Sequence, residues 1–177
     1  MPTCPGPYKI PEECDFRKVR ERYVPNDCSP EIADREFRGI VINAPKNVTV
    51  GERGAPPWSA SALFVPLCGT YVHSLGVDIG LRTDFAKSIV GVAVDAKTHR
   101  TFSGKIMVDE SSRRPDPSPE KKLSPKEMEG RTIRGYFNAN LGESLDLPDR
   151  EAEYIVYATL GPYKSNVLRI CVRKRIR

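Results

Sequence analysis

The stretch that decides the fold class is Tyr154-Ile155-Val156-Tyr157-Ala158-Thr159-Leu160-Gly161-Pro162-Tyr163-Lys164-Ser165-Asn166-Val167-Leu168-Arg169-Ile170-Cys171-Val172. Tyr154, Val156, Ala158 and Leu160 alternate with Ile155, Tyr157 and Thr159, the period of two that gives a strand two distinct faces. Gly161-Pro162 interrupts, because proline brings no amide hydrogen to a ladder and glycine tolerates turn dihedrals. A second run then sets Leu168, Ile170 and Val172 on one face and Val167, Arg169 and Cys171 on the other. The reading is a β-hairpin with Val156, Leu168 and Ile170 turned to the core.

Working outward, the same pattern recurs. Ser88 to Val94 is an apolar, β-branched run expected in the middle of a sheet, and Thr101 to Val108 returns from it as a second hairpin. Further strands are expected at Ile40-Val41-Ile42, Asn47 to Val50, Ser61 to Val65 and Thr132 to Phe137, with another beginning at Tyr71-Val72. Asn138 to Leu147 is read as a helical turn carrying Leu141 and Leu145 to the core. Seven to nine short strands, no long helix and no internal repeat predict an all-β chain, an antiparallel β-sandwich.

Residues 1–37 differ in kind. Six of the sixteen prolines lie in the first thirty residues, so this is expected to be an irregular N-terminal arm. Pro11-Glu12-Glu13 reads as a helix start, with Phe16, Val19 and Tyr23 at helical spacing and an end before Pro25. Residues 38–177 form the β domain, interrupted by a proline-rich, charged loop at 111–126. Ser124-Pro125-Lys126-Glu127, at the end of that loop, matches a capping box.

The passage Leu147-Pro148-Asp149-Arg150-Glu151-Ala152-Glu153-Tyr154-Ile155-Val156-Tyr157 resembles the corner of immunoglobulin-like and fibronectin-type sandwiches, where an acidic turn leads into a strand reading Tyr-x-Val-x-Ala. The resemblance covers about forty C-terminal residues and implies the fold alone. Cys28, Cys68 and Cys171 do not reproduce the cysteine–tryptophan–cysteine order of antibody domains.

Charge and cysteine narrow the chemistry. Lys and Arg number 28 against 23 acids, and five of the positives, Arg169, Arg173, Lys174, Arg175 and Arg177, fall in the last nine residues. Setting those aside leaves a neutral body with a basic tip, a weaker nucleic-acid signature than a basic body. No apolar run approaches the roughly 20 residues that span a bilayer, so no membrane insertion is expected. The N-terminus lacks signal-peptide character. The expected compartment is the cytoplasm, or a secreted or periplasmic location if a leader has been removed. Of the five cysteines, Cys4, Cys14, Cys28, Cys68 and Cys171, no two stand at zinc-knuckle spacing. The first expectation is reduced, partly buried thiols; the second is one or two disulfides pinning the arm.

Catalytic motifs are lacking. There is no phosphate loop, nucleophile elbow or zinc helix, and His73 beside Cys68 would make a cysteine–histidine dyad without any local motif to support it. The expectation is a non-catalytic, cofactor-free and metal-free structural or protein-interaction module of a larger assembly, with another protein or copies of itself as partner. Tyr8, Phe16, Tyr23, Trp58, Arg113 and Arg114 are the candidate partner contacts. Two alternatives stand beside it. One is an anionic-polymer binder, nucleic acid included, acting through Arg173, Lys174, Arg175 and Arg177. The other is a carbohydrate-binding accessory domain using Trp58.

Overall fold

The computed structural model describes residues 7–20, 24–51, 63–75, 88–106, 126 and 129–174. Eleven strands follow one another among them: β1 (Tyr8–Lys9), β2 (Glu31–Ile32), β3 (Gly39–Asn43), β4 (Asn47–Thr49), β5 (Pro66–Ser74), β6 (Val90–Asp95), β7 (Thr101–Lys105), β8 (Thr132–Asn140), β9 (Ala152–Leu160), β10 (Tyr163–Lys164) and β11 (Leu168–Arg173). One α-helical turn, α1 (Leu141–Ser144), links β8 to β9. The all-β expectation holds.

The strands form two principal sheets. The larger runs β4-β11-β9-β6-β7, with β10 also paired to β9, and the smaller runs β3-β5-β8. Every pairing is antiparallel except β4 with β11, which is parallel through Cys171↔Asn47 and Val172↔Val48. The chain crosses between the sheets in the few residues from β3 to β4, around Pro45, where a missing amide hydrogen ends one ladder before the next begins. A β1–β2 pair stands apart.

One apolar cluster joins the inner faces. Ile40 and Ile42 of β3, Leu67 and Tyr71 of β5, and Phe137 and Ala139 of β8 meet Ala93, Phe102, Tyr154, Val156, Ala158, Ile170 and Val172 of the larger sheet. Leu141 and Leu145 of the helical turn plug the same core, as their spacing predicts. Val156 and Ile170 are buried and Leu168 packs at the edge of the cluster, which bears out the inward face of the C-terminal hairpin.

That hairpin carries a bulge. Tyr163↔Leu160 and Lys164↔Thr159 continue into Leu168↔Val156, a register with one extra residue on the returning side. The bulge turns Asn166 toward the other sheet. Its Oδ1 accepts from the Ile42 amide at 2.8 Å and its Nδ2 donates to the Ile42 carbonyl at 3.0 Å, so one side chain pairs the free edge of β3 as a strand would.

Several expectations need correction. The strand expected to begin at Tyr71 is the second half of the nine-residue β5, and Leu63 to Val65, the described part of the strand expected at Ser61 to Val65, lead into it outside any strand. β5 is buried on both faces, so Cys68, Thr70 and Val72 look outward while Leu67, Gly69, Tyr71 and His73 look inward, and no wet face marks its period. Gly69 sits opposite Phe137, and a Cβ there would overlap that ring. The aromatic side chain fills the glycine's place across the strands. The helix expected from Pro11 shrinks to a 3-10 turn at Phe16–Lys18, capped by the Asp15 carboxylate, which accepts from the Arg17 amide; Val19 already lies in an extended conformation. The first cysteine expectation fails as well, because Cys14 and Cys28 form a disulfide, leaving Cys68 and Cys171 free among the described residues. The loop at 111–126 lies outside the described residues apart from Lys126.

Candidate functional site: the outer faces of the two sheets

The outer face of the smaller sheet is occupied by the chain's own arm. Two apolar clusters seat it. Val19, Cys28 and Cys68 pack with Cys14 and Phe16, and Ile32, Val41 and Val72 pack with Tyr8, Ile10 and Phe37. Tyr8 meets Phe37 edge-on, with ring centroids 5.9 Å apart. Burying arm carbonyls under a sheet requires partners for them, since an unsatisfied one costs about 1–3 kcal/mol. The sheet supplies these. Thr70 Oγ1 donates to the Pro30 carbonyl at 2.6 Å, Asn43 Nδ2 to that of Cys28 at 3.0 Å and Arg134 Nη2 to that of Ile32 at 3.0 Å. Asn26 and Asn138 clasp one another, Asn26 Nδ2 donating at 2.8 Å, and Asn138 Nδ2 donates to the Val24 carbonyl.

The larger sheet presents a different surface. The outward positions of β6 are Val90, Val92 and Val94, and those of β9 are Glu153, Ile155, Tyr157 and Thr159, since Ala93, Tyr154, Val156 and Ala158 belong to the core. Register places Val92 opposite Tyr157 and Val94 opposite Ile155. These five apolar side chains form one block across the middle of the sheet; Val92 is buried among its neighbours and the other four are partly exposed. Val167, thrust out by the bulge, is 55% exposed nearby.

Cations surround the block. Lys105 of β7 pairs with Val90, Lys164 of β10 pairs with Thr159, and Arg169 of β11 pairs with Ile155, with Arg173 farther along the same face. Lys164 Nζ stands 4.1 Å from the Tyr157 ring centre. Arg169 Nη1 meets Glu153 Oε1 at 2.6 Å, a pair exposed on both sides and so worth about 0–1 kcal/mol. Glu153 is the sole acid at an outward strand position on this face among the described residues. Cys171, a free and partly exposed thiol, lies beside it.

No protein-family model, curated protein or solved structure matches this chain.

The candidate residues expected from sequence do not converge. Tyr8 and Phe16 are partly buried against the smaller sheet, while Arg173 and Lys174 are exposed at the end of β11 in the larger one. Tyr23, Trp58, Arg113, Arg114, Arg175 and Arg177 lie outside the described residues. His73 and Cys68 stand on opposite faces of β5, the histidine in the inter-sheet layer stacked near Tyr71 and the thiol under the arm, so they form no dyad. No group of three or more His, Cys, Asp or Glu is placed to hold a metal ion, and no helix is long and apolar enough to cross a membrane, both among the described residues. The outward block of β6 and β9 was missed as a site. Its only sequence signal is that the run Val90-Gly91-Val92-Ala93-Val94 is apolar at every position, which also describes a strand buried on both faces.

A polar anchor fixes the far corner of this sheet. Asp95 accepts from the Lys97 and Thr98 amides, each at 2.9 Å, and binds Arg150 Nη2 at 3.0 Å. Those contacts, the Thr98 amide first, hold its carboxyl below the usual carboxylate range. The turn between β6 and β7 is thereby tied to the segment entering β9.

Proposed function

We propose that the chain is a non-catalytic β-sandwich of immunoglobulin-like type that serves as a protein-interaction module. On this reading the outer face of the larger sheet is the docking surface. The observation that carries it is the block of Val90, Val92, Val94, Ile155 and Tyr157 set within a ring of cations. An apolar centre with a charged rim is the anatomy of a protein interface, and valine, isoleucine and tyrosine side chains held on strands have few rotamers to lose when covered. The immunoglobulin-like assignment is supported by the crossing of β3 into β4, by the parallel pairing of β4 with β11, and by Tyr154 lying inward near the start of β9, after the α1 turn and the short segment that follows it.

The charge pattern selects the partner. A second copy of the same face would set Lys105, Lys164 and Arg173 against their own kind, so the partner is a protein whose surface carries an apolar centre and acidic side chains. The test is to isolate the tagged chain with its bound proteins from its source under native conditions, beside Ile155→Asp and Val92→Asp variants. Loss of the bound protein in both, at unchanged denaturant midpoint for Ile155→Asp, supports the reading. Retention of the same protein by both variants overturns it. Tight, salt-dependent retention of DNA or RNA that is lost when Arg173 and Lys174 are changed to Ala would favour the anionic-polymer reading instead.

A further inference from the structure

Three of the five cysteines meet in one place. Cys14 and Cys28 are joined, and the free thiol of Cys68 packs in the same buried cluster as Cys28, with Val19 and Phe16 around it. One oxygen organises the approach: Asn26 Oδ1 accepts from the Cys28 amide at 2.7 Å and lies 3.6 Å from Cys68 Sγ. The two sulfurs of the disulfide are not equivalent, because Cys28 is buried against β5 while Cys14 is partly exposed.

We propose that Cys14, Cys28 and Cys68 form a thiol–disulfide exchange centre, in which Cys68 attacks the Cys28 sulfur and Cys14 leaves as a solvent-facing thiol. The step balances without an outside oxidant. The Cys68 thiol gives its proton to solvent, a Cys68–Cys28 bond forms as the Cys28–Cys14 bond breaks, and Cys14 takes the electron pair and a proton. Attack at Cys28 rather than Cys14 follows from the shared burial of Cys28 and Cys68 around Asn26 Oδ1, and departure of Cys14 follows from its exposure, since the leaving sulfur is better solvated there.

The resting centre is locked. Burial pushes the Cys68 thiol up to about 12, against a small opposing pull from Asn26, so roughly one molecule in 10⁵ holds the thiolate at neutral pH. The lock is the arm itself. When the Asn26–Asn138 clasp opens, Cys68 gains water, its thiolate fraction rises toward that of a free cysteine, and exchange proceeds. The outcome differs topologically from the start: Cys28 becomes stapled to β5, and the segment carrying Cys14 is released from its 14-residue loop with a thiol open to S-thiolation by a small disulfide such as glutathione disulfide.

Labelling of the disulfide-intact protein tests this. The chain is incubated with N-ethylmaleimide, without reductant, at urea concentrations below the unfolding midpoint, and mapped by mass spectrometry after non-reducing digestion. The expected products are alkylated Cys14 together with a Cys28–Cys68 linked peptide, and Cys68→Ser slows Cys14 labelling by at least about tenfold. Equal labelling of Cys14 in Cys68→Ser overturns the proposal, as does wild-type protein that is alkylated at Cys68 while keeping Cys14–Cys28 intact. A second variant guards against a folding defect in the first. Cys14→Ser treated with glutathione disulfide is expected to yield the Cys28–Cys68 bond, and recovery of Cys28 and Cys68 as separate thiols or separate glutathione adducts overturns the proposal equally.

Discussion

The outer faces of the two sheets solve the same problem in opposite ways. Both carry apolar residues on the side away from the core: Val41, Val72 and Cys68 on the smaller sheet, Val90, Val92, Val94, Ile155 and Tyr157 on the larger. The smaller sheet is roofed by residues of the same chain, stapled by Cys14–Cys28 and with the arm's carbonyls answered by Thr70, Asn43, Arg134 and Asn138. Among the described residues, the larger sheet shows self-contacts within the face, a cation over Tyr157 and one exposed ion pair. Polar satisfaction marks the difference. A covered face needs donors between its apolar side chains because backbone is buried on it, whereas a face that meets water keeps charge at its rim.

The most severe way to break this comparison is to remove the roof. Deleting residues 1–37 exposes Val41, Val72, Cys68 and Thr70 together, and the shortened chain is expected to lose cooperative unfolding and to aggregate. A cooperative transition at the original urea midpoint would show that the smaller sheet needs no cover. A sharper contrast comes from matched truncations. Ile32→Ala, on the inner side of the roof against Val41 and Val72, should cost about 2–5 kcal/mol as a buried large-to-small change, while Ile155→Ala on the larger sheet should stay within about 1 kcal/mol. Equal costs would mean that the two faces are equally buried.

The disulfide comes next. Closing a loop of 14 residues is worth about 3 kcal/mol on the chain-entropy account, so Cys28→Ser should lower the unfolding free energy by about that amount, move the denaturant midpoint down at unchanged slope, and make it insensitive to dithiothreitol. Of similar size by about pH 12 is an alkaline effect confined to the roofed face. The Cys68 thiol stands at about 12 in the folded chain against an ordinary value of 9.0, so the unfolded state releases this proton first. The contribution is complete below pH 9.0 and is lost as pH rises toward about 12, at about 1.4 kcal/mol per unit. Wild type should therefore lose stability faster than Cys68→Ala across that window, and parallel curves would remove the burial argument. The smallest effect belongs to the open face: Arg169→Ala should change stability by about 0–1 kcal/mol, with any difference vanishing at high salt.

By itself the sequence determined the strands that have one wet face or a clear turn beside them. Alternation in Tyr154 to Val172, the apolar run of β6 with its return in β7, and the spacing of Leu141 and Leu145 all led to elements found where they were expected. These signals are local, because a period of two against water is written into neighbouring residues. Only the tertiary structure decided the rest. β5 hid its period because the arm buries its outer side, so Cys68, Thr70 and His73 had no solvent contrast to reveal them. The 3-10 turn at Phe16–Lys18 replaced a helix because the chain there is pinned at Cys14 and laid along a sheet, and tertiary contact outweighs a propensity of tenths of a kcal/mol per residue. Which cysteines pair, which apolar face is roofed and which is left open are matters of distance between residues far apart in the chain. A fully apolar strand such as β6 reads identically in either case until its neighbours are in place.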